Sequence, residues 1–291
     1  MPRVVTIDFH VTSECSQECP YCWGPQEVTA VDTPTALAIV GRVAAVGARR
    51  IVFTGGDPLK REDLGELIGC ARRAGLEVAV STTGDLLTAA FLAEHGAEID
   101  LVSLPLDGAS EGVSQRTKKE GHFTAVMAAL DLLGAHPAID VKVATPVTRH
   151  NLADVPNIVL LLDRRAGSLP NRLFYNVFQA FPRSMDPSVA WEGLLVTATE
   201  FAALQEEVGR APHPFRINWL SHAVLDRLYA MVFPDGSLVV PVGGSFRGYG
   251  PFLQVADLDA LLARAGFDAA KHVRHSRGWA RGLNAPSYLM R

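Results

Sequence analysis

Three cysteines near the start of the chain have a spacing suited to metal chemistry. Cys15, Cys19 and Cys22 are separated by three and two residues, so their thiolates can surround one metal centre from a single loop, as zinc sites and iron-sulfur clusters both require. A structural zinc ion needs a fourth protein ligand, which would have to come from a distance, for example from His10 or Cys70. An iron-sulfur cluster that leaves one iron open needs no fourth ligand. The spacing alone therefore allows either metal centre.

A second candidate site follows the predicted strand Ile51–Gly56. The strand ends in Gly55 and Gly56, and Asp57 and Pro58 come next. Paired glycines let a backbone approach a ligand closely, and carbonyl groups at a strand end can accept hydrogen bonds from an ammonium group. The pattern alone allows a ligand-binding loop or an ordinary tight turn between a strand and a helix.

The cysteine loop resembles the cluster loop of the radical S-adenosylmethionine (SAM) superfamily, because the aromatic Tyr21 directly precedes the last cysteine. The Gly-Gly-Asp-Pro segment at Gly55 is similar to a motif of the same family, which more often carries glutamate as its acid. The resemblance implies a [4Fe-4S] cluster on the three cysteines, with the amino and carboxylate groups of SAM on the fourth iron. It also implies cleavage of SAM to a 5′-deoxyadenosyl radical, which removes a hydrogen atom from a substrate.

Other segments match this family in the same order along the chain. Ser81 begins a segment similar to the turn after the third strand, and Ser103 lies on a fourth strand that ends in Asp-Gly. Arg116 lies where the family often places an arginine for the SAM carboxylate, and we expect the neighbouring Lys118 and Lys119 to be solvated. The resemblance implies that SAM is contacted by Tyr21, Gly55, Gly56, Asp57, Ser81, Ser103, Arg116, Asn151 and Phe181.

The elements that must position these residues alternate between short β-rich and longer helical segments. Strands separated by helices of this length are typical of parallel sheets with right-handed crossovers. The predicted strands are 4–10, 50–54, 77–81, 101–104, 141–147 and 173–178, with helices at 33–46, 64–74, 86–95, 123–133, 155–162 and 198–208.

The pattern alone allows a barrel or an open sheet, and the resemblance implies an α/β fold, a partial (β/α)6 TIM-type barrel. After residue 210 the regular alternation of strands and helices ends, and two strands are predicted around the turn Pro234–Gly236. We expect residues 1–210 to form the barrel and residues 211–291 to form a small α/β extension packed on it.

Five polar side chains on or after the later strands, or in the extension, are candidate substrate contacts. Lys142 shares one face of the fifth strand with Ala144 and Pro146, and a buried lysine is unfavourable unless it is paired. The other candidates are Arg149, Asn176, Arg183 and Tyr229.

The order of segments in the second half of the chain is similar to that in viperin-like enzymes, which dehydrate a nucleoside triphosphate. The basic residues that hold phosphate on their sixth strand correspond here to Phe174 and Asn176. This loss of charge disfavours a triphosphate substrate.

Composition limits the possible partners. The 291 residues are 48% hydrophobic and carry a formal net charge of -4, with no basic patch for nucleic acid or for an anionic membrane. The N-terminal apolar stretch is short and is interrupted by Asp8 and His10, so we expect no signal peptide, and we expect no disulfide framework from so few cysteines. We expect a cytoplasmic enzyme that takes electrons from an external donor of the flavodoxin or ferredoxin type.

These features predict a radical SAM enzyme that abstracts hydrogen from a small sugar-like or nucleoside-like molecule. The reaction would belong to natural-product or nucleotide-analogue biosynthesis, as a dehydration, decarboxylation, epimerisation or dehydrogenation. A peptide-modifying maturase is an alternative, although the chain has no cysteine after Cys70 for auxiliary clusters. A non-catalytic iron-sulfur or zinc-binding protein is the alternative from another class.

Overall fold

A computed structural model of the chain describes residues 4–22, 24–180 and 191–277. Within these residues ten strands form one sheet. The strands are β1 Thr6–Thr12, β2 Arg50–Gly55, β3 Glu77–Ser81, β4 Leu101–Pro105, β5 Asp140–Val147, β6 Leu173–Gln179, β7 Arg216–Leu220, β8 Met231–Val232, β9 Ser237–Val242 and β10 Ser245–Pro251.

Helices connect the successive parallel strands β1 to β8, as parallel pairing requires, and, among the described residues, two more helices follow β10. They are α1 Thr33–Ala45, α2 Leu64–Arg73, α3 Ala89–His95, α4 Glu111–Ser114, α5 His122–Gly134, α6 Val155–Ala166, α7 Trp191–Leu194, α8 Ala198–Val208, α9 His222–Leu225, α10 Leu258–Arg264 and α11 Ala269–Arg277. Among these described helices, none combines the length and the apolar character that a membrane span requires.

The order of the strands in the sheet is β10-β9-β8-β1-β2-β3-β4-β5-β6-β7. Strands β1 to β7 are parallel, β8 pairs parallel with β1, and β9 and β10 add an antiparallel hairpin. The sheet does not close on itself, so the predicted α/β partial barrel is confirmed. Strands β7 to β10 extend the same sheet, while a domain boundary at residue 210 stays a prediction.

The two faces of the strands differ in chemistry because side chains alternate along each strand. Ile7 and Phe9 of β1 point to the helices, where they join helix residues such as Ile39 in one apolar core. Asp8 of β1 and Lys142 of β5 point the other way and line a cavity on the inner side of the sheet. A polar interior within an apolar shell is the arrangement that a binding site needs.

Helix α11 closes the end of the barrel at which the parallel strands begin. The ring of His272 accepts hydrogen bonds at Nε2 from the backbone N–H groups of Val5 (3.0 Å) and Thr6 (3.1 Å), and Nδ1 donates to the carbonyl of Leu228 (2.8 Å). These bonds fix a neutral tautomer, because a protonated Nε2 would face two N–H groups. Burial lowers the pKa of His272 to about 4.

Candidate active site

The cysteine loop begins where β1 ends and turns back over the carboxyl end of the sheet. The backbone N–H of Cys22 donates to the carbonyl of Cys19 (3.0 Å), and that of Gln17 donates to the Cys15 sulfur (3.4 Å). All three cysteines line one cavity of about 290 Å³. The loop therefore presents its thiols to the space that the inner side of the sheet encloses.

Gly55 and Gly56 provide the surface against which this loop packs. A Cβ on Gly55 would lie 2.2 Å from the carbonyl oxygen of Thr12, and one on Gly56 would lie 2.1 Å from that of Glu14. The N–H of Gly56 donates to the Thr12 carbonyl (2.8 Å), and the N–H of Asp57 donates to the Glu14 carbonyl (2.7 Å). The glycine pair thus lets β2 approach the backbone that carries Cys15, and both glycines line the cavity.

Asp57 connects the loops after β2 and β3. Its buried carboxylate accepts hydrogen bonds from the hydroxyl of Thr82 (2.9 Å) and the N–H of Leu59 (3.0 Å), as well as from Thr83. Asp57 does not line the cavity. The hydrogen bonds of Asp57 fix the two loops relative to each other, while its predicted contact with SAM stays a prediction.

Tyr21 links the cysteine loop, to which it belongs, to the segment that follows β4. Its ring is buried with Ala180 and Leu194, and its hydroxyl donates a short hydrogen bond to Asp107. The hydroxyl of Thr117 donates to the same carboxylate oxygen (2.6 Å). Burial and the Asp107 charge raise the pKa of Tyr21 well above its usual value, so the phenol stays a donor.

Lys118 is a site residue that the sequence interpretation placed in solvent. Its Nζ donates to the sulfur of Cys19 (3.0 Å), lies 5.5 Å from the centre of the Tyr21 ring, and faces the cavity. Burial lowers the pKa of Lys118, but the charges of Asp107 and Cys19 raise it by more, so the ammonium form prevails. Arg116, two residues earlier, is exposed and donates to the carbonyl of His150 (3.2 Å).

Polar side chains also line the end of the cavity that faces α11. Asp8, Lys142, Asn176, Tyr229 and His275 all contribute to this lining, which we call the polar floor. Burial raises the pKa of Asp8 to about 6 and lowers that of Lys142 to about 8, and their opposite charges reduce both shifts. Burial, Lys142 and other nearby basic groups lower the pKa of His275 to about 3, which keeps its ring neutral.

Other predicted site residues have different surroundings. Ser81 and Ser103 line the cavity between the cysteines and the polar floor. Arg149 is exposed and forms an ion pair with Glu200 (3.0 Å). Asn151 is buried and donates to the carbonyls of Asp107 (3.0 Å) and Pro146 (3.1 Å). The predicted contacts Phe181 and Arg183 lie outside the described residues.

Sequence reasoning missed Lys118, Asp8, Asp107 and His275 as site residues. A signal existed for Asp8, because an acid in the middle of an apolar strand must face a polar interior. Asp107 belonged to a recognised segment, but its bond to Tyr21 joins residues that are 86 positions apart. Nothing in the sequence near His275 indicates that α11 reaches the barrel interior.

The residues around the cavity fit the cofactors of a radical SAM enzyme. Each cysteine of a cluster binds a different iron, so the three sulfurs need not converge on one point. In the described part of the chain, no three His, Cys, Asp or Glu side chains are grouped as a single metal ion would require. The ammonium group of Lys118 beside Cys19 supplies a positive charge, and Gly55 and Gly56 bring backbone to the cavity wall, as an amino acid moiety would need.

Relatives of known activity belong to the same superfamily. A SAM-dependent nucleotide dehydratase from Lacinutrix mariniflava is 25% identical over 290 residues, covering 91% of this chain and 58% of that protein. An Fe-coproporphyrin III synthase from Methanosarcina barkeri is 28% identical over 181 residues, covering 60% and 44% of the two chains. The chain thus spans about half the length of these relatives.

Solved structures share the fold at low sequence identity. SuiB from Streptococcus suis bound to SAM superposes with a TM-score of 0.67 and 11% identity, covering 94% of this chain and 67% of that chain. A structure of anSMEcpe with bound SAM and the Kp18Cys peptide gives a TM-score of 0.64 at 14% identity, covering 92% and 82%. The sequence model of the Radical SAM superfamily matches residues 9–162, which is more than half of the chain. The protein belongs to the radical SAM superfamily.

Proposed function

We propose that this enzyme abstracts a hydrogen atom from a small polar molecule, of a sugar-like or nucleoside-like kind, held between the cluster and the polar floor. The observation that carries the proposal is the continuity of the cavity, in which Cys15, Cys19 and Cys22 share one space with Lys142 and His275. A substrate on the polar floor would lie inside the barrel, below SAM.

The cysteine loop and its neighbours would hold the cofactors. Cys15, Cys19 and Cys22 would bind three irons of the cluster, which with SAM and an external electron donor supplies the 5′-deoxyadenosyl radical. Lys118 would pair with the SAM carboxylate, because its ammonium faces the cavity beside Cys19. Gly55 and Gly56 line the same cavity, and a backbone carbonyl there would accept a hydrogen bond from the SAM amino group.

The polar floor would orient the substrate and keep bulk water away. Helix α11 seals this end through His272, and neutral His275 and Tyr229 can each give and accept hydrogen bonds. The Asp8 carboxylate and the Lys142 ammonium have pKa values of about 6 and 8, which bracket neutral pH. Asp8 Oδ and Lys142 Nζ are therefore the groups of the polar floor that would act as general acid or base toward a bound substrate.

A substrate panel tests this proposal. Anaerobically reconstituted protein with SAM and dithionite would be incubated separately with sugars, nucleosides, nucleotides and peptides, and 5′-deoxyadenosine would be measured by chromatography. We expect a small polar compound to stimulate its formation, and we expect Lys142→Met to lose the stimulation while slow substrate-free cleavage persists. Lys60→Met is the control and should keep the stimulation, because Lys60 is an exposed residue in the turn after β2. Stimulation by peptides alone would overturn the proposal in favour of a maturase.

A further inference from the structure

Two oppositely charged residues flank the cysteine loop on its β4 side. Lys118 donates a hydrogen bond to the Cys19 sulfur at 3.0 Å. Asp107 is fully buried, and its carboxylate accepts a hydrogen bond from Tyr21, which belongs to the cysteine loop. We propose that Lys118 and Asp107 set the reduction potential of the cluster in opposite directions, an inference that rests on the assignment of the cluster to the three cysteines.

The direction in which Lys118 shifts the reduction potential follows from the negative charge that reduction adds to the cluster. An electron makes the cluster and its thiolates more negative, and a nearby ammonium group stabilises the more negative state more strongly. Hydrogen bonds to cluster sulfurs and the net local charge are among the factors that set such potentials. Lys118 supplies both at Cys19, so it makes the cluster easier to reduce.

Asp107 acts in the opposite sense because its carboxylate is confined close to the loop. One oxygen accepts hydrogen bonds from Tyr21 and Thr117. The other oxygen, Oδ1, is buried and has no hydrogen-bond partner among the described residues. A buried carboxylate with one unbonded oxygen keeps much of its field, since little solvent screens it. It therefore disfavours the reduced cluster and limits the effect of Lys118.

Lys119 provides a matched control next to Lys118. Its ammonium group is about half exposed and pairs with Glu18 on the protein surface at 2.7 Å. A surface charge of this kind is screened by water and salt, whereas Lys118 lies in the cavity. Removing the charge from each lysine in turn separates the local effect from a change in net charge.

The test is a redox titration of the reconstituted cluster, monitored by electron paramagnetic resonance in the absence of SAM. Relative to wild type, we expect a more negative midpoint potential for Lys118→Met, a small shift for Lys118→Arg, and a more positive potential for Asp107→Asn. Lys119→Met should keep the wild-type value. Iron content and thermal unfolding of each variant establish that a full cluster is present in folded protein.

Equal midpoint potentials for Lys118→Met and Lys119→Met, each with a full cluster, would overturn the inference. A shift of the same sign in Lys118→Met and Asp107→Asn would also overturn it. If Asp107→Asn fails to hold a cluster, the two lysine variants decide the question. The measurement uses neither SAM nor substrate, so its result does not depend on the outcome of the substrate panel. Likewise, a failed redox test would not affect the proposed substrate class.

Discussion

Substitution of Gly56 by alanine should destabilise the cysteine loop. A Cβ at this position would lie 2.1 Å from the Glu14 carbonyl oxygen and 2.6 Å from that of Ser13. Both contacts are with backbone atoms, so the loop must move by about 1 Å to restore a normal contact distance. The movement strains the hydrogen bonds from Gly56 to Thr12 and from Asp57 to Glu14.

The expected loss can be worked from these contacts. Two hydrogen bonds contribute roughly 0.5–1.5 kcal/mol each, and forced displacement of packed groups costs about 1–3 kcal/mol. The free energy of unfolding should therefore fall by roughly 2–6 kcal/mol, which lowers the melting temperature by about 3–10 °C for a chain of this size. Because the strain falls on the backbone that carries Cys15, reconstituted Gly56→Ala should also bind less iron.

Thermal unfolding by circular dichroism and iron analysis after anaerobic reconstitution measure both effects. Gly41→Ala is the matched control, because Gly41 lies within α1 and a Cβ there meets no atom within 4 Å. This variant should gain about 0.5–1 kcal/mol, since alanine favours a helix interior. If Gly56→Ala melted and bound iron like Gly41→Ala, the proposed packing of β2 against the cysteine loop would be refuted.

Two further predictions concern SAM and pH. Lys118→Met should weaken SAM binding by roughly 10- to 100-fold in calorimetry, because a charge-assisted hydrogen bond is lost. Arg116→Ala is the control and should bind SAM like wild type. Equal losses of affinity in the two variants would contradict the assignment of Lys118 to the SAM carboxylate. His272 has a folded pKa of about 4 and an unfolded value near 6.5, so the unfolded chain binds the proton first as pH falls. In chemical denaturation, the free energy of unfolding should fall by up to about 3 kcal/mol between pH 6.5 and 4 because of this group. The fall should be smaller in His272→Gln, and an unchanged pH dependence of the unfolding free energy in that variant would contradict the prediction.

The fold was largely predictable because its signals are local and repeated. Each of the six predicted strands is present within two residues of its expected bounds, since β-branched runs alternate with helical segments. Helix α8 lies at Ala198–Val208 as predicted, with a capping box between Thr197 and Glu200. Helix α3 begins three residues later than expected, at Ala89, because the side chain of Thr88 caps its first turn.

The surroundings of the charged residues were harder to predict. Lys118 and Arg116 differ in sequence position by only two residues, yet the chain after α4 turns one toward Cys19 and leaves the other exposed. Arg149 follows the end of a strand, where a cavity residue would be expected. Its side chain instead forms an ion pair at the surface with Glu200, a capping residue of α8. Which way such side chains point depends on contacts between distant segments, which no local pattern encodes.

The central claim is that Cys15, Cys19 and Cys22 hold a cluster that cleaves SAM in the cavity of the barrel. Formation of 5′-deoxyadenosine by anaerobically reconstituted protein with SAM and dithionite tests it most directly. Wild type should form this product, and Cys19→Ala should form none while keeping the far-ultraviolet circular dichroism of wild type. Wild-type protein that carries four irons and four sulfides per chain but forms no 5′-deoxyadenosine, or product formation by Cys19→Ala, would contradict the claim.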